Sequence, residues 1–330
     1  FFPRERITLF DEHDEVMECA EYARNAIDEI NKEIILQRKE THPTSWQEEL
    51  PAMLGIATWV GYDLDGRTDI SWRDSLGLRL KEKVYALNRY FSKLSEMRLK
   101  ELSSITALIE KEIQITESDL DRFSRLRKGD EDFIGVVDQL TERKERMLSS
   151  KLLATKIHQI AKELAPSKNT IGLMVVAADV LEHGFGVGEI HLRVNADQIR
   201  NAMRPVDGKM VSVSDGENSP RLLIDRLASR IESESSWEIN FLNVERESAV
   251  ARRQLMLARQ FIKYVDEDQK IKLLIAECEK PLTIMSALYL SHKFGVSDNL
   301  DISPLFETSF GLEHGNKLIE QLLDIPTFLS

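Results

Sequence analysis

The chain has 330 residues, with 44 Lys and Arg against 56 Asp and Glu and a net charge of −12. That length can bury a large core in one big domain or two, and the acidic balance argues against a nucleic-acid partner, which needs a concentrated basic face. The densest basic stretch, Arg122 to Lys128, runs straight into Asp130, Glu131 and Asp132.

The first 165 residues read as long helices. Val16, Cys19, Ala23, Ile27, Ile30 and Ile34 recur at spacings of three and four, which predicts a helix over about 11–38 with that stripe packed. Leu76 to Leu94 repeats the pattern, Leu102 to Ile109 starts a third helix, and Leu140 to Leu164 suggests a fourth, broken upstream near Gly129. Between the first two, Pro43 and Pro51 bracket a linker before Ile56 to Val60, which reads as a buried strand. After Pro166 helices alternate with short apolar strands at Ile190–Val194, Ile271–Ala276 and Asp301–Phe306. Helices are expected over 170–181, 221–233 and 245–264, from Pro281, and up to Leu323. Strand–helix alternation at this spacing implies parallel strands with helical crossovers, as in a barrel, and three strands cannot close one. The expected fold is mainly α with a partial parallel (β/α) barrel, divided into 1–165 and 166–330.

No apolar run reaches the ~20 residues that span a bilayer, and charge follows Phe1-Phe2-Pro3 where a signal peptide would be apolar. The two cysteines, Cys19 and Cys278, are expected to be reduced core thiols of a cytoplasmic protein. A chain opening on Phe1 is expected to be a piece of a longer one.

Three segments carry candidate chemistry. Gly55 to Ile70 holds Asp63 and Asp65 at a strand's end between Gly61 and Gly66. Both aspartates could simply cap local backbone N–H groups, or line a site where paired, hydrogen-bonded or metal-bound carboxylates offset their desolvation. Glu307 follows the last strand, where barrels keep functional groups; taken alone it could equally cap the next helix. Phe185 to Val194, with Gly184 just before it, places three glycines (184, 186 and 188) around a strand start, but a dinucleotide loop must follow a strand and open a helix, and here the order is reversed.

Taken together these segments resemble the phosphoenolpyruvate carboxylase family. Trp59, Gly61, Asp63, Asp65 and Gly66 match its strand and loop (S/T)-W-M-G-G-D-R-D-G-N-P, with Tyr62, Leu64 and Arg67 departing from it. Pro304-Leu-Phe-Glu-Thr308 reproduces V-P-L-F-E-T over five positions, and Phe185 to Val194 is similar to F-G-x-x-x-x-x-L-D-I-R-Q. Trp237 to Leu242 and Leu273 to Met285 are weaker echoes; in the latter Glu277, Cys278 and Pro281 replace small polar residues, which puts any substrate contact at that turn in doubt. The matches are collinear from about Asp11 to Leu323.

The resemblance implies a lyase that joins phosphoenolpyruvate and bicarbonate into oxaloacetate, releasing phosphate. This carbon dioxide fixation replenishes the tricarboxylic acid cycle. It implies that Arg193 grips the substrate phosphate through its two-pronged guanidinium, and that Glu307 ligates Mg2+ (or Mn2+), hard cations that prefer carboxylate oxygen. Asp63, Asp65 and Arg67 would form the active-site loop, with Arg67 pairing an aspartate to replace the charge lost at Leu64. A Leu64→Arg exchange is then expected to be neutral or beneficial. The full-length enzyme would be a cytoplasmic homo-oligomer.

Thr41-His-Pro-Thr44 imitates the family's T-A-H-P-T-E motif but lies only about a dozen residues before the aspartate segment, so His42 is not expected to be the catalytic base. That base, the second metal carboxylate and the glycine- and arginine-rich loop have no match between Phe1 and Ser330. The chain alone is therefore expected to be inactive. The alternative is a catalytically inactive homologue, a helical scaffold or regulatory protein that binds an anionic metabolite.

Overall fold

The computed structural model describes residues 7–64, 70–125, 133–204 and 219–329. The chain is mainly helical (67%) with a small parallel four-strand sheet, which fixes the class as mainly α. Its residues form two compact units: 1–61, 73–189 and 263–269 make the first, and 62–72, 190–262 and 270–330 the second. The expected boundary at 165/166 lies inside the first unit.

That unit contains α1 (Leu9–Thr41), β1 (Ala57–Thr58), α2 (Trp72–Glu96, from Arg73 onward), α3 (Ser103–Arg125), α4 (Phe133–Glu142), α5 (Ser150–Glu163) and α6 (Lys168–His183). Its apolar core gathers Leu87, Tyr90, Ile109, Ile157, Leu173 and Phe185. The expected fourth helix is two helices, because Ser149 turns its side chain onto the Leu152 N–H and starts α5 afresh. The expected buried strand at 56–60 shrinks to two residues, and Trp59 is 56% exposed.

The face of α1 that packs is not the predicted one. Its buried residues are His13, Met17, Ala20, Arg24, Asn31 and Ile35, while Cys19 is exposed and Ile30 largely so. The physical reason is ionic. Arg24 donates to Asp179 of α6 and to the Tyr90 hydroxyl of α2 (both 2.9 Å) and to the Gly186 carbonyl (3.1 Å). A guanidinium satisfied this way outweighs the apolar stripe as the inward face. Arg89 pairs with the same Asp179 (2.9 Å) and with Glu21 and Asp28. Elsewhere in the unit the buried Lys83 ammonium meets Glu112 (2.8 Å) and the carbonyls of Met147 (2.7 Å) and Val265 (2.8 Å).

The second unit carries β2 (Glu189–Asn195, from Ile190 onward), α7 (Ala196–Ala202), α8 (Pro220–Ser233), α9 (Phe241–Arg246), α10 (Val250–Tyr264, to Ile262), β3 (Ile271–Ala276), α11 (Pro281–Lys293), β4 (Leu300–Pro304), α12 (Ser309–Leu323) and α13 (Pro326–Leu329). The helix expected over 245–264 divides where α9 ends and α10 begins. Within this unit β3 lies between β2 and β4 and is parallel to both. Ile190 lies opposite Ile271, and Ile271 opposite Leu300, so the three strands end at one level. Helical crossovers between them place their C-terminal ends together, the edge where α/β sheets gather functional side chains.

Candidate functional site

Strand β2 alternates in burial. Ile190, Leu192 and Val194 face the core, and Arg193 turns to the opposite face, as a two-residue period requires. The aspartate loop runs beside it as a short parallel extension: Arg193 N–H reaches the Tyr62 carbonyl (3.5 Å) and Leu64 N–H donates to the Arg193 carbonyl (3.2 Å). Tyr62 and Leu64 are buried and anchor the loop. The Tyr62 carbonyl takes the Gln254 amide (2.9 Å) while its ring meets Phe261 edge-on, and the Leu64 carbonyl takes Gln198 (3.3 Å). Between the two anchors the same alternation turns Asp63 toward Arg193, with Oδ2 3.9 Å from its guanidinium.

Glu307 arrives from the other side. After β4 the chain continues the ladder, Leu305 N–H donating to the Ile275 carbonyl (2.9 Å). Glu307 Oε1 then accepts the Glu277 N–H at 3.2 Å, and its Oε2 stands 3.7 Å from Arg193. Glu277 holds that N–H in place from a left-handed backbone (φ +54°), strained for a residue with a Cβ. Thr308 follows as the cap of α12, its Oγ1 accepting the Gly311 N–H and donating to Glu279 (2.6 Å).

The structure therefore brings together three of the expected site residues, Asp63, Arg193 and Glu307. Asp65 and Arg67 lie outside the described residues. His42 sits in the first unit, exposed at the end of α1, with its ring nitrogen 2.8 Å from the Thr41 hydroxyl. Leu64 is only 8% exposed, so an arginine there would have to carry its charge into a buried position. Sequence reasoning missed the role of the Glu277 backbone; a glutamate in place of a small residue past a strand was the only signal. Cys278, next to it, is buried, and burial pushes its thiol up to about 11, so it stays a neutral thiol near pH 7.

Arg193 is the chemically open group. Both carboxylates lie beyond hydrogen-bond reach, and its buried Nε has no partner. Among the described residues its guanidinium donates no hydrogen bond, and the N–H groups on its two Nη atoms can be directed at an oxyanion.

The cation is a separate question. Among the described residues no group of three or more His, Cys, Asp and Glu could hold a metal ion. Glu307 supplies one carboxylate with each oxygen already meeting a donor or cation. A single carboxylate does not cage a cation, and Mg2+ bound through it would have to take most of its ligands from water and a phosphorylated ligand.

No protein-family model matches the chain, and no curated protein matches it.

Proposed function

We propose that this chain is an incomplete part of a phosphoenolpyruvate carboxylase-type lyase, its three parallel strands forming one sector of a (β/α) barrel. The observation that carries the reading is the open Arg193 guanidinium 3.7 Å from Glu307, two residues drawn from separate family-like motifs. In the complete reaction a bicarbonate oxygen attacks the phosphorus of phosphoenolpyruvate, and the enolate leaves as carboxyphosphate forms. Carboxyphosphate then breaks the bond between its carbon and the phosphate oxygen, releasing phosphate and carbon dioxide, and the enolate carbon bonds to the carbon dioxide to give oxaloacetate. Arg193 holds the phosphoryl oxygens and neutralises charge that grows on them. Asp63 orients the guanidinium from one side and Glu307 from the other. Mg2+ (or Mn2+), when bound through Glu307, supplies Lewis-acid stabilisation of the enolate oxygen. The full-length protein on this reading is a cytoplasmic homo-oligomer.

Calorimetric titration of phosphoenolpyruvate with Mg2+ tests this directly. Saturable binding that weakens at least about tenfold in Arg193→Gln supports it; binding indifferent to Arg193, or none, removes it. A coupled oxaloacetate assay on the same chain should show no sustained turnover, because groups that act as a unit fail together.

A second reading, an inactive homologue that binds an anionic metabolite, is favoured by Leu64, which puts a buried apolar side chain where the family has an arginine. The longer protein would then bind phosphoenolpyruvate without turning it over.

A further inference from the structure

The apolar stripe that the spacing of α1 announces lies outside the core of the first unit. Successive residues turn about 100° round the helix axis, and the inner line runs through Met17, Arg24, Asn31 and Ile35. About a third of a turn away runs a second line, Cys19, Ala23, Ala26 and Ile30. Cys19 and Ala26 are exposed, Ile30 is 45% exposed and Ala23 is half-buried. Val16, Ile27 and Ile34 form its half-buried inner margin, and Tyr22 stands on its outer margin at 68% exposure. From Val16 to Ile34 the stripe covers about 27 Å of helix axis. The small side chains in its middle leave room for another backbone to come close.

Around Tyr22 the outer margin is acidic. Glu15, Glu18, Glu29, Glu33 and Glu40 form one row along it, all exposed. Lys32 holds Glu29 (2.8 Å) from the far side of that row, away from the stripe, and among the described residues the other four form no salt bridge. Like charges a turn apart repel one another unless cations lie against them. Stripe and row together narrow the occupant. The stripe needs an apolar face of matching length, and the row needs Lys or Arg along one edge of that face. A second copy of the chain fails the second requirement, because in a two-fold antiparallel pair each acidic row meets its own image. An anionic lipid surface fails it as well.

We propose that this outer face of α1 docks a basic amphipathic helix of a partner protein, its apolar side against Cys19, Ala23, Ala26 and Ile30 and its Lys and Arg side chains along the glutamate row. The surface belongs to the first unit alone and does not rest on the carboxylase reading.

The probe is a fluorescently labelled leucine–lysine amphipathic helix of about 18 residues, titrated with the whole 330-residue chain and followed by anisotropy, beside a leucine–glutamate helix with the same apolar face. The lysine helix should bind saturably and the glutamate helix should not. Affinity for the lysine helix should fall about tenfold when Glu15→Lys, Glu18→Lys and Glu33→Lys are combined, and about fivefold in Ile30→Ser. The triple variant should then prefer the glutamate helix. A control with Glu101→Lys, Glu110→Lys and Glu117→Lys, exposed carboxylates away from α1, carries the same change of net charge and should bind as wild type does. Circular dichroism checks that each variant is folded. Absence of saturable binding overturns the proposal. So does an equal loss in the control, which would make the attraction one of overall charge, or indifference to Ile30→Ser. Sedimentation velocity supplies the last arm: a dimer of the chain that Ile30→Ser dissolves would put a second copy on this face and overturn the assignment.

Discussion

Arg193 and Glu307 stand on β2 and just beyond β4, strands that both pair with β3 and not with each other, yet Nη2 and Oε2 are 3.7 Å apart. Two ladder steps separate such strands by about 9–10 Å. The gap closes because both side chains are long and because the Glu277 N–H draws Glu307 across the end of β3. The carboxylate therefore competes with any anion for the guanidinium when no cation is present. Glu307→Gln is expected to tighten inorganic phosphate binding at Arg193 about threefold in metal-free buffer, and to weaken phosphoenolpyruvate binding in Mg2+ by about tenfold. Calorimetry with and without chelator reads both, and a change of the same sign in the two buffers would rule the competition out.

The left-handed backbone of Glu277 yields a stability prediction. A residue with a Cβ pays about 1–2 kcal/mol for that conformation and glycine does not. Glu277→Gly should be neutral to stabilising by up to about 1 kcal/mol, and Glu277→Val should cost at least that much, read from urea midpoints. A destabilising glycine would show that the Glu277 side chain contributes more than the backbone strain removes.

Leu64→Arg should destabilise the protein by about 3 kcal/mol or more, because an unpaired charge enters a buried site. Leu64→Met conserves volume and should cost less than about 1.5 kcal/mol. Thermal unfolding of the two variants separates burial from side-chain identity.

Asp179 is held by Arg24 (2.8 Å), Arg89 (2.9 Å) and His183 (3.0 Å) inside the first unit. Burial pushes its carboxyl up, but the Arg24 charge, the His183 hydrogen bond, and then Lys93 and Arg89 outweigh it and hold the group well below the usual range. A carboxyl depressed on folding stabilises at pH values above its unfolded pKa of about 3.9, and that stability fades as pH falls through the folded value. Asp179→Asn should cost about 3–5 kcal/mol at pH 7 by leaving buried cations uncompensated, and the difference from wild type should shrink below about pH 3.9. A penalty that does not change with pH would assign the loss to packing.

Gly188 has φ +155°, and a Cβ there would collide with the Ile56 carbonyl oxygen. The same carbonyl takes the Glu189 N–H at 2.9 Å, so the two chains cannot move apart without losing that bond. Gly188→Ala should lower stability by about 2–3 kcal/mol. A glycine tolerant of alanine would mean that this contact relaxes freely.

Much of the helical frame was legible because apolar spacing states which segments are helices, and β2, β3 and β4 stood out as short β-branched runs between turn residues. Spacing could not tell which face of α1 is buried, since Arg24 and His13 look like surface residues until their distant partners are known. It also could not locate the break before α5, a single serine cap inside an otherwise periodic stretch. At the site, the expected residues Asp63, Arg193 and Glu307 were legible as motifs. The contact that turns Glu307 inward was not, because it belongs to a backbone N–H, which every residue but proline carries.

The Lys83 ammonium has three protons and three acceptors, one on α3, one ahead of α5 and one at Val265. Burial pushes its pKa down, opposed mainly by Glu112. None of these three segments can leave without stranding a charge on the other two. Amide hydrogen exchange around Glu112, Met147 and Val265 should therefore proceed at one shared rate, as a single opening event. An amine-reactive reagent should label Lys83 only at that rate, making this lysine a clock for how often the first unit comes apart.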